Sequence, residues 1–337
     1  MKTGEQTLPG LVASRLDSGF TLKHMAYLLN RLALLVLTLL FISIVTFAIT
    51  NLLPGNVAVM ILSFRGTPEA IAALEQKLGL NDPLFLQYWH WISGMVQGDW
   101  GTSLRFKVPI AELVGQKMLA SSMIIILSLM IALVFAIPLG IISAIKHNRW
   151  QDTLSSGAAL TGISLPDFFW GIVFILLFSR TLGWLPSSGY VSPADNFWLS
   201  LKHALLPAIT LGLGLVAQLS RMTRSAMLEV LKADYIRTAR AKGISESAVI
   251  LKHALRNALA PVITVLGLQL GYLFGGIIVV ESLFNYTGMG WLTYQALLNR
   301  DVPLIQASVF LIAAVFMASN LIVDLIYKVL DPRMRFD

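Results

Sequence analysis

The chain has 337 residues, 56% of them hydrophobic and 13% charged, and a mean hydropathy of +0.74. A soluble domain distributes its apolar residues through short amphipathic elements, whereas runs near twenty residues match ~30 Å of hydrocarbon at ~1.5 Å per helical residue. The absence of cysteine excludes disulfides and thiolate metal sites, and the net charge of +7 is distributed as a topology signal rather than as a nucleic-acid surface.

The pattern predicts an all-α integral membrane protein with six spans: Arg31–Leu53, Leu119–Ala144, Thr153–Phe178, Ala204–Ser220, Leu255–Val280 and Leu304–Tyr327. Residues 1–27 read as a polar cytoplasmic leader without a small-x-small cleavage site, so the first span (28–53) is a retained anchor. With the N-terminus inside, 17 of the 25 Lys and Arg residues fall on inside segments and 8 outside, which favours both termini in the cytoplasm.

The outer loop, 54–117, carries its own structure. In "TPEAIAALEQKLGL", Thr67 is placed to cap a helix, Pro68 to open it and Gly79 to stop it. The aromatic stretch "NDPLFLQYWHWISGMVQGDWG" follows, and Tyr88, Trp89 and Trp91 are expected near the outer interface in a cap folded onto the bundle. Residues 118–330 form the five-helix core and 331–337 a short cytoplasmic tail.

Catalytic groups are missing from the spans. His24, His90, His147, His203 and His253 all lie outside them, and no Gly-x-x-x-x-Gly-Lys-Ser/Thr loop exists to cradle a nucleotide phosphate. Asp167 and, toward the end of the sixth span, Asp324 are the ionisable residues expected near hydrocarbon depth. An acid there costs about 2.5–3.5 kcal/mol on insertion scales unless it faces water or a partner. Asp167 therefore either lines a polar translocation path or sits at a break in the third span, where "SLPDFF" interrupts it. Gly267, Gly271 and Gly275 recur every fourth residue and share one helix face, suited to internal packing or to a moving pathway. Gln218 is placed to bond across helices, with no partner evident.

Between the fourth and fifth spans runs a basic bracket, residues 221–254. A short helix from Ala233 to Lys242 presents Tyr235, Thr238, Ala239 and Lys242 on one face; Gly243 supplies a left-handed stop, and Ser245 with Glu246 opens the next helix. A loop that only fixes topology needs positive charge, not a helix, a positioned glycine and a second capped helix. The bracket reads as a protein-docking element, with Tyr235 and Ala239 as its contact face.

The stretch "DYIRTARAKGISESAVILKHALRNALAPV" resembles the cytoplasmic signature loop of membrane subunits of binding-protein-dependent ABC importers, in their dipeptide/oligopeptide branch, which also includes nickel and glutathione importers. The resemblance continues through "LGLNDPLFLQYWHWISGMVQGDWGTS", "RMTRSAMLEVL", "ESLFNYTGMGWL" and "DPRMR". The family at large writes the loop Glu-Ala-Ala, three residues, Gly, nine residues, Ile-x-Leu-Pro. Here Arg237-Thr238-Ala239 and Gly243 take the first positions and His253 to Arg256 the last, a departure usual in the peptide branch.

The resemblance implies a permease in the bacterial inner membrane that binds no cofactor of its own. Residues Asp234, Tyr235, Ile236, Arg237, Thr238, Ala239, Arg240, Ala241, Lys242 and Gly243 would dock on a separate ATPase. Two such subunits would carry ATP and Mg, a homologous second permease would complete the path, and an extracytoplasmic binding protein would deliver peptide. Asp167, Gln218, Gly267, Gly271 and Gly275 would line that path. The alternative is a self-sufficient secondary carrier or channel, against which stands the lack of paired intramembrane charges.

Overall fold

The computed structural model describes residues 9–52, 57–62, 67–77 and 79–330; side chains are described from residue 29 to 323 within those stretches, apart from residues 57, 60, 61 and 77. The tail at 331–337, the first eight residues, Leu53 and the side chain of Asp324 lie outside the described residues.

Every named element among the described residues is helical, and the one strand-like pairing is an isolated bridge between Thr102 and Pro109. Helix α1 (Pro9–Asn51) runs through much of the expected leader into the first span, whose apolar part is Leu29–Asn51. The outer loop contains α2 (Val57–Leu62), α3 (Pro68–Lys77) and α4 (Leu84–Gln97). Thr67 Oγ1 accepts from Ala70 N at 3.3 Å, and Gly79 takes φ +64° beyond the end of α3, so both predicted signals operate.

Helices α5 (Ile110–Ile145) and α8 (Phe197–Val230) are much longer than a span requires, at about 54 and 51 Å by a rise of ~1.5 Å per residue. They project beyond the hydrocarbon and form the central crossing. Gly140 lets them touch: a Cβ there would lie 2.5 Å from Thr223 Cβ and 2.7 Å from the Ser220 carbonyl. Farther along, Ser128 donates to the Ala208 carbonyl at 3.0 Å, and Gly212 leaves room for the Ser128 backbone.

The third span is not one rod. It is built from α6 (Trp150–Ser164) and α7 (Asp167–Phe174), the latter extended by a π-helical turn at Ile175–Thr181, and the two halves meet at 107°. Pro166 removes a backbone donor and forces Leu165 into an extended conformation, φ −107° and ψ 139°, which ends the first half. The remaining helices are α9 (Asp234–Ala241), the one-turn α10 (Glu246–Ala248), α11 (Leu255–Leu283), α12 (Met289–Leu298) and α13 (Val302–Leu330). Among the described residues five helices are long and apolar enough to cross a membrane, six with the bent pair taken as one span.

Three buried clusters organise the bundle. The largest joins α5, α8 and α11 around Ile124, Leu211, Leu215, Leu273 and Ile277; the second gathers α4, α12 and the starts of α5 and α13 around Ile110, Leu292 and Leu304. The third lies at the opposite end, under α9.

Candidate coupling bracket and polar seam

The far end of α8 carries "RMTRSAMLEVL" out of the bundle, and a turn at Leu231–Ala233 reverses into α9. Ile236 is completely buried and Ala239 nearly so, packed with Ala144, Ala226, Met227, Val249 and Ala254 from α5, α8 and the segment leading into α11. Ala239 therefore belongs to the inner face, not to the expected contact face. Small size at this position lets α9 lie close against the bundle. The outward face comprises Asp234, Tyr235, Arg237, Thr238 and Ala241. Tyr235 is 44% exposed, and its hydroxyl accepts from Asn257 Nδ2 at 2.8 Å, which fixes the ring beside α11.

Gly243 stops α9 as predicted, with φ +76° and its N–H donating to the Arg240 carbonyl at 2.9 Å. Ser245 stands at the N-cap position of α10, but its side chain makes no capping bond. Glu246 does more: it takes Arg240 as a two-pronged partner, at 3.0 Å from Nε and 2.7 Å from Nη2. The pair spans the Gly243 turn, and the hydrogen bonds to Glu246 raise the Arg240 guanidinium above its ordinary value. Arg237 pairs loosely with Asp234 at 3.5 Å, on the surface. Of the basic residues of this stretch, Arg240 is thus committed within the chain, while Lys242 is exposed.

One turn before this cluster, Arg224 reaches Asp152 in the first turn of α6, Nε at 2.6 Å and Nη2 at 2.8 Å. The Asp152 carboxylate, only 4% exposed, also accepts from Ser143 Oγ at 2.5 Å and the Asn148 amide at 3.0 Å, and lies 3.1 Å from His147 Nδ1. The network ties α5, α6 and α8 together directly behind α9.

The expected pathway residues separate into two groups. Asp167, at the start of α7, accepts the Tyr272 hydroxyl at 2.6 and 2.7 Å. Gly214 and Gly276 make room for this pair: a Cβ would lie 3.0 Å from the Tyr272 oxygen at the first and 3.3 Å from Asp167 Oδ2 at the second. Gln218 finds its partner in Gln269, one turn before Tyr272, so a polar seam runs between α8 and α11 up to the break in the third span. Gly267 and Gly271 instead admit Val323 and Phe316 of α13 and serve internal packing, the plainer of the two readings; Gly275 faces open space.

Glu281 escaped sequence reasoning, as did Asp301 and the Asp152–Arg224 pair. Glu281 is fully buried near the end of α11; it accepts from Ser121 Oγ at 2.5 Å and the Trp291 amide at 3.0 Å, pinning the turn that follows the helix. It is a buried acid beyond the expected fifth span, two residues before the end of α11. Asp301, also fully buried, accepts from Ser103 Oγ at 2.5 Å and the Arg105 amide at 3.0 Å, clipping the outer loop to α13. Partners 160 to 198 residues apart leave no local signal. Among the described residues no group of three or more His, Asp and Glu is placed to hold a metal ion.

Residues 136–336 match the family described as "Binding-protein-dependent transport system inner membrane component", and residues 24–109 match its N-terminal membrane component. The chain belongs to this family. It is the non-catalytic, multi-pass inner-membrane permease subunit of a binding-protein-dependent ABC importer, a system that implies ATPase and binding-protein partners. The self-sufficient carrier considered above gives way to that assignment. The permease is 42% identical over 332 residues to a dipeptide transport system permease protein of Alkalihalophilus pseudofirmus, covering 93% of this chain and 100% of the relative. It is 43% identical to a glutathione transport system permease protein of Salmonella typhimurium and 42% to that of Escherichia coli K12, each covering 92% of this chain and 99% of the relative.

Proposed function

We propose that this permease forms half of a translocation path for short peptides, paired with a homologous second permease and driven by two ATPase subunits through α9. The observation that carries the coupling role is the seating of α9. Ile236 and Ala239 anchor it in the third buried cluster while Asp234, Tyr235, Arg237 and Thr238 point away from the bundle. A helix held this way transmits a push to α5, α8 and α11 together, because a packed interior yields little to local strain. On this reading α9 faces the cytoplasm, in keeping with the concentration of Lys and Arg on its side, and the polar seam from Gln218 to Asp167 borders the route.

Support for a peptide substrate comes from the relatives: dipeptides and glutathione, the cargoes their names give, are both short peptides with a free amine and carboxylates. Specificity at the level of dipeptide against longer peptide falls to the binding protein.

The test is reconstitution of the complete importer with Gly243→Pro or Arg240→Glu in this subunit. Proline cannot adopt φ +76° and lacks the N–H that Gly243 uses; glutamate at 240 would face Glu246. Both variants are expected to insert and to lose peptide uptake while basal ATP hydrolysis persists. Uptake coupled as in the unmodified importer in both would overturn the docking role, and uptake of free ions or sugars in place of peptides would overturn the substrate class.

A further inference from the structure

We infer that α4 is not a cap above the membrane but a helix lying within the outer leaflet, with one apolar face turned to lipid. Helix α4 reads "LFLQYWHWISGMVQ" and carries no Asp, Glu, Lys or Arg. Its apolar residues cover more than half its circumference and divide into two faces. One points inward: Tyr88 and Trp91 pack on Phe47 of α1, Trp91 meets Phe310 of α13 edge-on with centroids 6.3 Å apart, and Met95 is buried. The other contains Phe85, Trp89, Ile92 and Val96, spaced i, i+4, i+7 and i+11 and therefore aligned on one side of the helix. Phe85 is 72%, Trp89 58% and Val96 83% exposed. The polar residues His90, Ser93 and Gln97 occupy the third side.

Depth follows from where the inner face touches the spans. Tyr88 bonds Ser43 at 2.8 Å, and Ser43 and Phe47 lie about 12 and 6 Å inside the end of α1 at Asn51, by ~1.5 Å of rise per residue. Phe310 lies about 12 Å inside the start of α13 by the same rise. Two spanning helices thus place α4 alongside hydrocarbon-level residues, at the ~5–10 Å depth of an interfacial amphipathic helix. Helix α1 likewise exposes large apolar side chains, Phe41, Ile44 and Ile49 among them. A face docking a water-soluble binding protein would be ringed by polar side chains; here Ser93, Gln97 and His90 flank the stripe on one side only, and the helix carries no charged residue.

The chain's lack of cysteine permits a direct measurement. Single variants Phe85→Cys, Val96→Cys, His90→Cys and Gln97→Cys, in an importer otherwise free of cysteine, are spin-labelled and reconstituted in phosphatidylcholine vesicles. Collision rates with oxygen and with a water-soluble nickel chelate are then compared. The inference expects an oxygen-to-nickel ratio several-fold higher at 85 and 96 than at 90 and 97. Equal nickel access at all four sites would mean a water-exposed cap, and low access to both reagents at 85 and 96 would mean a protein partner on that face; either result overturns it. Peptide uptake by each labelled variant serves as the check on folding.

Discussion

The Asp152–Arg224 pair offers the sharpest test of how the bracket is joined to the bundle. Removing one partner of a buried ion pair leaves the other charge uncompensated and costs about 3–5 kcal/mol. Asp152 is 4% exposed, but the Arg224 side chain is 27% exposed, so water rehydrates part of the guanidinium. We therefore expect Asp152→Ala near the low end, about 3 kcal/mol, even though it also strands the Ser143 hydroxyl and the Asn148 amide. Arg224→Ala should cost a similar amount by leaving the carboxylate buried without its cation. The double variant removes both charges, so it should cost about 2 kcal/mol less than the sum of the two single changes, within the range measured for residues in direct contact. Reversible unfolding in mixed micelles, followed by tryptophan fluorescence, measures each corner of the cycle. Penalties that add to within ~0.5 kcal/mol, the behaviour of independent sites, would refute the coupling read from these distances.

Two further outcomes are expected. Asp167→Leu removes the partner of Tyr272 from the seam; uptake by the assembled importer should fall while the complex still purifies intact, and unchanged uptake would remove Asp167 from the path. Gly290→Ala forces a Cβ to within 2.7 Å of Ile278 Cα and 2.9 Å of its nitrogen. Backbone cannot swing aside as a side chain can, so overpacking of about 1–3 kcal/mol should appear as a lowered unfolding midpoint, and a wild-type midpoint would contradict the close approach of α11 and α12.

Much of the architecture was legible because the signals are local. A span needs only a long apolar run, and five such runs appear as unbroken helices. Helix punctuation was equally readable: Thr67, Gly79 and Gly243 act as their chemistry requires, since capping and left-handed turns depend on one residue and its immediate neighbours. Ser245 shows the limit: it stands at the N-cap position without a side-chain capping bond, while the adjacent Glu246 is held across the turn by Arg240.

What the amino-acid sequence determined by itself was the solvent each segment must face, the places where helices stop, and, through the bracket and its flanking motifs, the family. Tertiary structure alone decided which face of each helix is used. Ala239 turned inward because α9 has a cavity-filling side as well as an outward one, and Gly267 turned to Val323 because a glycine face packs against whichever helix approaches it. The buried acids Asp152, Glu281 and Asp301 belong to the same class: a carboxylate becomes tolerable in the interior only when donors distant in sequence converge on it, and that convergence exists only in the folded chain.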